Sequence, residues 1–142
     1  MVRMTAKEWT DRKNGKKVIP LEDDDAELFV VFLRSSGIRD FSHIPMETRT
    51  PYKGVLNKLK KMGVNSGIPD YLITLPTSYT WREKRKLIFI EMKRRKGWTV
   101  SVKQKHWLKV LDDCEGVDAY VAKGLAEARE IVEKYYFNRK KD

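Results

Sequence analysis

The chain has 142 residues, with 30 Lys or Arg against 20 Asp or Glu, giving a formal net charge of +10 and leaving 41% of positions apolar. That apolar share supports one hydrophobic core and excludes a disordered chain, while the basic excess points to a polyanionic partner, nucleic acid ahead of a membrane surface. A single cysteine, Cys114, and two histidines, His43 and His106, exclude an intramolecular disulfide and cysteine-based zinc fingers and leave His-rich metal or triad chemistry without residues. No signal peptide and no apolar run of about 18 residues is present, so a soluble intracellular, cytoplasmic protein without a membrane segment is expected.

Residues 1–20 mix charge with Gly15 and Pro20 and lack apolar periodicity, which predicts a basic N-terminal arm. One folded domain is expected over 21–138, followed by a basic tail at 139–142. Asp23, Asp24 and Asp25 suit the positive end of a helix dipole, and Ala26, Phe29, Val30 and Leu33 continue at helical spacing until Gly37. Residues 41–46 (FSHIPM) form a short strand candidate. A second helix is expected over 51–62, stopped by Gly63, with Lys58, Lys60 and Lys61 facing solvent.

Two apolar runs of strand length, 70–75 (DYLITL) and 87–93 (LIFIEMK), are separated by a polar, basic loop holding Pro76, Ser78 and the segment WREKRK. Ser101, three residues before Gln104, is a capping-box start for an amphipathic helix through Trp107, Leu108, Leu111 and Cys114, which Gly116 ends. Residues 117–122 (VDAYVA) give a further strand, and Leu125, Ala128, Ile131, Val132 and Tyr135 a last helix. Strand, helix and strand in this order imply a parallel crossover, and with it an α/β fold in which a mixed sheet is flanked by helices.

Side chains alternate along a strand, so Phe89, Glu91 and Lys93 share one face and Ile88, Ile90 and Met92 the other. A carboxylate ending so apolar a strand needs water, a partner or a metal, and Asp70, at the start of the neighbouring strand candidate, supplies a second. Two such carboxylates suit a hard divalent cation such as magnesium, beside which Lys93 would orient water or stabilise charge on phosphate oxygens. Spacing alone leaves open the plainer reading of a surface Glu91–Lys93 pair and a turn aspartate.

The segment 61–136, read as KMGVNSGIPDYLITL, IFIEMKRRKG, SVKQKHWLKVL and AYVAKGLAEAREIVEKYY, closely resembles the VRR-NUC domain, a branch of the PD-(D/E)xK nuclease superfamily. The resemblance covers more than half the chain. It rests on the order of its parts: the Gly67-Ile68-Pro69-Asp70 turn, the Glu91-Met92-Lys93 triplet, the Gln104 and Trp107 pair, and the Lys123-Gly124 turn. It implies a restriction-endonuclease-like core in αβββαβ order, with Asp70, Glu91 and the Met92 carbonyl as metal ligands, Lys93 as the catalytic lysine and Gln104 near the scissile phosphate. Gln104 also fits a helix cap. The family's first-helix acid matches Glu22 best, with Glu27 as the alternative, and helix capping accounts equally for the acids there.

Arg94, Arg95 and Lys96 follow Lys93, Lys103 and Lys105 flank Gln104, and Arg82 and Arg85 lie in the loop between the two strands, so phosphate contacts are expected of all seven. Trp98 suits either stacking on a base or packing. The expected function is a magnesium-dependent DNA endonuclease, with manganese able to substitute. As implied by the resemblance, it would act as a homodimer on branched DNA such as a four-way (Holliday) junction, in replication, recombination or repair and in a phage or viral setting. Phe32 and Val31 are surplus to one buried helix stripe, and either a dimer surface or deeper burial within one subunit accounts for them. The alternatives are a non-catalytic nucleic-acid-binding module and a nuclease acting on RNA or simple duplex ends.

Overall fold

A computed structural model describes residues 22–45, 52–80 and 85–138, without the side chains of residues 22, 23, 80 and 136–138. The predicted arm at 1–20, the tail at 139–142 and Arg82 lie outside the described residues. In chain order the elements are α1 (Glu22–Ser35), β1 (Phe41–His43), α2 (Lys53–Lys61), β2 (Tyr71–Leu75), α3 (Thr77–Thr80), β3 (Lys86–Lys93), α4 (Val102–Asp112), β4 (Val117–Lys123) and α5 (Gly124–Asn138).

The four strands form one mixed sheet in the order β1-β2-β3-β4. β1 pairs antiparallel with β2, and β2 antiparallel with β3, so the parallel contact is that of β3 with β4, reached through the α4 crossover. β3 is buried on both faces from Ile88 to Met92, as an interior strand must be, and its unbroken apolar run reflects this. β2 alternates instead, with Tyr71, Ile73 and Leu75 buried and Leu72 and Thr74 half-buried. β1 is an edge strand of three residues, shorter than the sequence predicts because Pro45 has no amide hydrogen to continue the ladder. α3 is a single turn in the stretch predicted as loop.

Packing divides the chain into two units. Among the described residues one takes 22–39, 92–99 and 121–138, the other 40–45, 52–80, 85–91 and 100–120. In the first, α1 packs against α5, and Phe29, Leu33, Ile38, Met92, Ala122, Ala128 and Val132 make its apolar interior. Phe32 is not left over: it stacks on Phe29 with ring centroids 6.2 Å apart, and the Arg129 guanidinium lies 4.9 Å from its ring centre. Of the two surplus residues only Val31 stays open, at 62% exposure.

In the second unit Tyr71, Ile73, Leu75, Tyr79, Ile88, Phe89 and Ile90 are buried. The start of β3 is pinned to that of β4 by Lys86 Nζ, 3.1 Å from Asp118 Oδ2. No helix among the described residues is long and apolar enough to cross a membrane.

Candidate active site

The register of β2 and β3 brings the two predicted carboxylates together. Tyr71 pairs with Ile90 and Leu72 with Phe89, so one further step sets Asp70 against Glu91. Opposed residues of an antiparallel pair project from the same face with Cβ atoms about 4.5–5.5 Å apart. On its other side Asp70 is held by β1, where the Ile44 amide donates to the Asp70 carbonyl at 2.6 Å. The backbone at Asp70 is thus held from the β1 side although β2 formally begins one residue later.

Glu91 is 3% exposed, a carboxylate inside an apolar strand that must be satisfied by specific partners. One is Gln104, whose Nε2 donates to Glu91 Oε1 at 2.7 Å. The other end of the same amide completes the capping box of α4: Gln104 Oε1 accepts from the Ser101 amide at 2.9 Å, and Ser101 Oγ accepts from the Gln104 amide at 3.2 Å. Sequence left capping and a site role as alternatives for Gln104; the cap is present, and the same side chain also donates to Glu91. The cap uses the carbonyl oxygen, which orients the donor nitrogen toward Glu91.

This division of labour is separable. Gln104→Glu retains an N3 acceptor for the cap but replaces the donor by a second carboxylate oxygen facing Glu91. We expect its cleavage activity to fall and its thermal midpoint to drop as well, because the two carboxylates repel in a part-buried site; Ser101→Ala, which keeps the donor to Glu91, should lower the midpoint at a cost of about 1 kcal/mol with cleavage retained. Circular dichroism melts run beside a cleavage assay read the two effects.

The turn ahead of Asp70 packs on the same helix start. Gly67 has φ +94°, and a Cβ there would stand 2.7 Å from the Lys103 carbonyl carbon and 2.9 Å from the Gln104 nitrogen. Glycine is therefore required both by conformation and by the close approach of backbone to backbone. It ties the segment that delivers Asp70 to the helix turn that delivers Gln104.

Met92 and Lys93 follow Glu91 on β3, and alternation returns Lys93 to the Glu91 face. As a donor set, Asp70, Glu91 and a backbone carbonyl offer hard oxygens, the type magnesium takes, and magnesium retains several waters in such sites. Among the described residues no group of three or more His, Cys, Asp or Glu is placed to hold a metal.

Of the acids on the first helix, Asp25 is the one buried among the described side chains. The side chain of Glu22 lies outside the described residues and Glu27 is exposed, whereas Asp25 is buried at 2% exposure. Asp25, Phe29 and Leu33 recur every fourth residue and form one buried stripe of α1. Asp25 Oδ2 accepts from the Leu125 amide at 3.2 Å, capping the first turn of α5, and Oδ1 lies 3.6 Å from Arg95 Nη2. Gly124, φ +84°, admits this arrangement, since a Cβ there would meet Arg95 Cγ at 2.7 Å and Asp25 Oδ2 at 3.0 Å. Asp24 keeps one buried carboxylate oxygen without a hydrogen-bond partner among the described residues.

Asp25→Ala leaves the Leu125 amide without its acceptor and is expected to destabilise the fold by about 1–3 kcal/mol. Asp25→Asn, which keeps an acceptor oxygen, should cost less. Urea unfolding midpoints of the two variants measure the difference, and equal midpoints would assign the effect to the Arg95 ion pair instead.

The predicted phosphate contacts divide into two kinds. Arg95 pairs with Asp25 and Arg85 with Asp40, while Arg94, Lys96, Lys103 and Lys105 are exposed. Trp98 is half-buried with Lys123 Nζ 4.6 Å from its ring centre, the packing alternative of the two that sequence allowed.

The VRR-NUC domain model matches residues 29–126, more than half of the chain. The chain belongs to the VRR-NUC family. A solved structure described as a VRR-NUC domain protein has the same fold, with a TM-score of 0.62, 22% identity, and coverage of 80% of this chain and 86% of its own. A search of curated proteins gives no match. Membership makes this a nuclease-like domain and implies DNA binding. The segment matching the VRR-NUC model contains Asp70, Glu91, Lys93 and Gln104, and excludes Glu22 and Asp25.

Proposed function

We propose that this VRR-NUC protein is a magnesium-dependent endonuclease that hydrolyses DNA phosphodiester bonds. The observation that carries the reading is the register that opposes Asp70 to Glu91, with Gln104 Nε2 donating to Glu91. Asp70 and Glu91, with the Met92 carbonyl, would hold the ion, and manganese, which takes the same oxygen donors, would substitute. When bound, the ion supplies Lewis-acid polarisation of the phosphate and an activated nucleophile. Gln104 keeps Glu91 in place through its cap-oriented amide. Lys93 stabilises the negative charge that builds on the phosphate oxygens as the bond breaks. Exposed Arg94, Lys96, Lys103 and Lys105 neutralise flanking phosphates and carry no sequence preference of their own.

For substrate, the proposal is branched DNA cut by a homodimer, a four-way junction being the leading case. One site cuts one strand, whereas symmetric resolution needs two cuts, and a twofold dimer presents two equivalent sites. The test is cleavage of labelled duplex, nicked, flap, fork, junction and single-stranded DNA and of RNA, in magnesium, manganese or EDTA, with light scattering on the same samples. Paired nicks in a junction by a dimer are expected. Equal rates on the junction and its linear arms would reduce the reading to a nuclease blind to structure, and binding to DNA without cleavage in either metal would leave a non-catalytic module.

A further inference from the structure

Within the second unit, α2 and the first turn of α4 bound an open cleft of about 750 Å³. α2 buries none of its residues, and Leu59 and Lys60 reach the cleft from it, with Val64 from the following turn and Val102, Lys103 and His106 from α4. The floor and rim are apolar in a way that a solvated surface is not: Val102 is 84% exposed and Val64 37%. The two charged residues that line it, Lys60 and Lys103, are of one sign. No Asp or Glu occurs from 52 to 69 or from 100 to 111, whereas Lys53, Lys58, Lys60, Lys61, Lys103, Lys105 and Lys109 all do. Among the described residues no acidic side chain pairs with Lys60 or Lys103.

We propose that this cleft is a nucleotide subsite for the DNA strand beside the cleaved phosphate. Lys60 and Lys103 hold phosphates, and Leu59, Val64 and Val102 wall the sugar and base, with His106 at the edge as a hydrogen-bonding group. A strand of nucleic acid is the occupant that needs cations and an apolar surface together, because its charge is on the backbone while its bases present apolar faces. A protein segment with an apolar face would need acidic flanks to match the same rim.

The cleft is lined by Ser66 and Lys103, which neighbour in the chain the Gly67 turn and Gln104 of the candidate active site. Lys103 precedes Gln104 in the chain, and the Gly67 turn that leads to Asp70 lies against both. A strand whose scissile phosphate reaches Asp70 and Glu91 therefore has its next nucleotides directed along the α4 start into the cleft.

The subsite rests on the nuclease reading, and the two can fail separately. The full chain is titrated with fluorescein-labelled single strands and junctions in EDTA, across a range of salt, by fluorescence anisotropy. Lys60→Ala and Val102→Glu are compared with wild type, and both positions are exposed, so unchanged melting curves are expected. Lys60→Ala should weaken binding and lower the slope of log affinity against log salt by about one. Val102→Glu, which sets a negative charge at the mouth of the cleft, should weaken binding of every substrate. If wild type binds and cuts DNA while both variants bind as it does, the subsite is wrong and the nuclease reading stands. If wild type binds no DNA, both fall. A loss of cleavage rate with unchanged affinity would also overturn the subsite, because the cleft would then act by positioning Gln104.

Discussion

Glu91→Ala is expected to abolish cleavage while leaving DNA binding in place. Glu91 is buried and accepts from Gln104, and the β2–β3 register, continued one residue beyond Tyr71 and Ile90, sets it opposite Asp70. Phosphate contacts by surface cations supply affinity for DNA and do not depend on it. Removing Glu91 also leaves the Gln104 amide nitrogen without that acceptor, so a melt is needed to separate lost chemistry from lost fold. Glu91→Gln is the cleaner variant, since it keeps the shape and removes the charge a divalent cation requires. Asp70→Asn makes the same test from the other strand. Single-turnover cleavage in magnesium, with anisotropy binding in EDTA and manganese binding by calorimetry, gives the full comparison. Wild-type cleavage by any of these variants would remove the proposed metal site.

The strands were legible because their burial demands different sequence patterns. Continuous apolarity in β3 marks a strand covered on both faces, and alternation in β2 marks one with a half-exposed face. Register was not legible from either run alone. A shift of one residue would move Glu91 to the other face relative to its neighbours, and the pairing that prevents this is set by contacts distant in sequence. The capping box at Ser101 was readable because it is local, four residues with reciprocal hydrogen bonds. That its spare donor reaches Glu91, thirteen residues earlier, was not.

Asp25 has a structural role that the sequence conceals for a physical reason. Three consecutive aspartates at a helix start are each adequate for dipole complementarity, which conceals the one that lies on the buried stripe. The signal was present in its spacing of four and eight residues from Phe29 and Leu33, positions that are fully buried. For Phe32 the structure shows packing within the subunit, one of the two readings that the sequence left open. Apolar surplus on a helix can mark a partner surface, but a long cationic side chain, Arg129, lies over the ring and leaves Val31 alone exposed.

Lys93→Ala is expected to lower the single-turnover cleavage rate by about 10²–10³, the usual cost of removing one preorganised group that meets charge developing in the transition state. Such a group binds the ground state weakly, so DNA affinity should change little, and metal affinity should not fall as it does for Asp70 or Glu91 variants. Lys93→Arg keeps the positive charge but exchanges a compact ammonium for a planar fork, and is expected to recover only part of the rate. β3 is what makes the comparison interpretable, because alternation places Lys93 on the Glu91 face while Met92, between them, is buried on the other. Rate constants at saturating magnesium and over a magnesium titration distinguish the roles. If excess metal restores Lys93→Ala to the wild-type rate, Lys93 supports the cation site and does not act in the transition state. A persistent deficit at every metal concentration, with intact binding, is the result its proposed role requires.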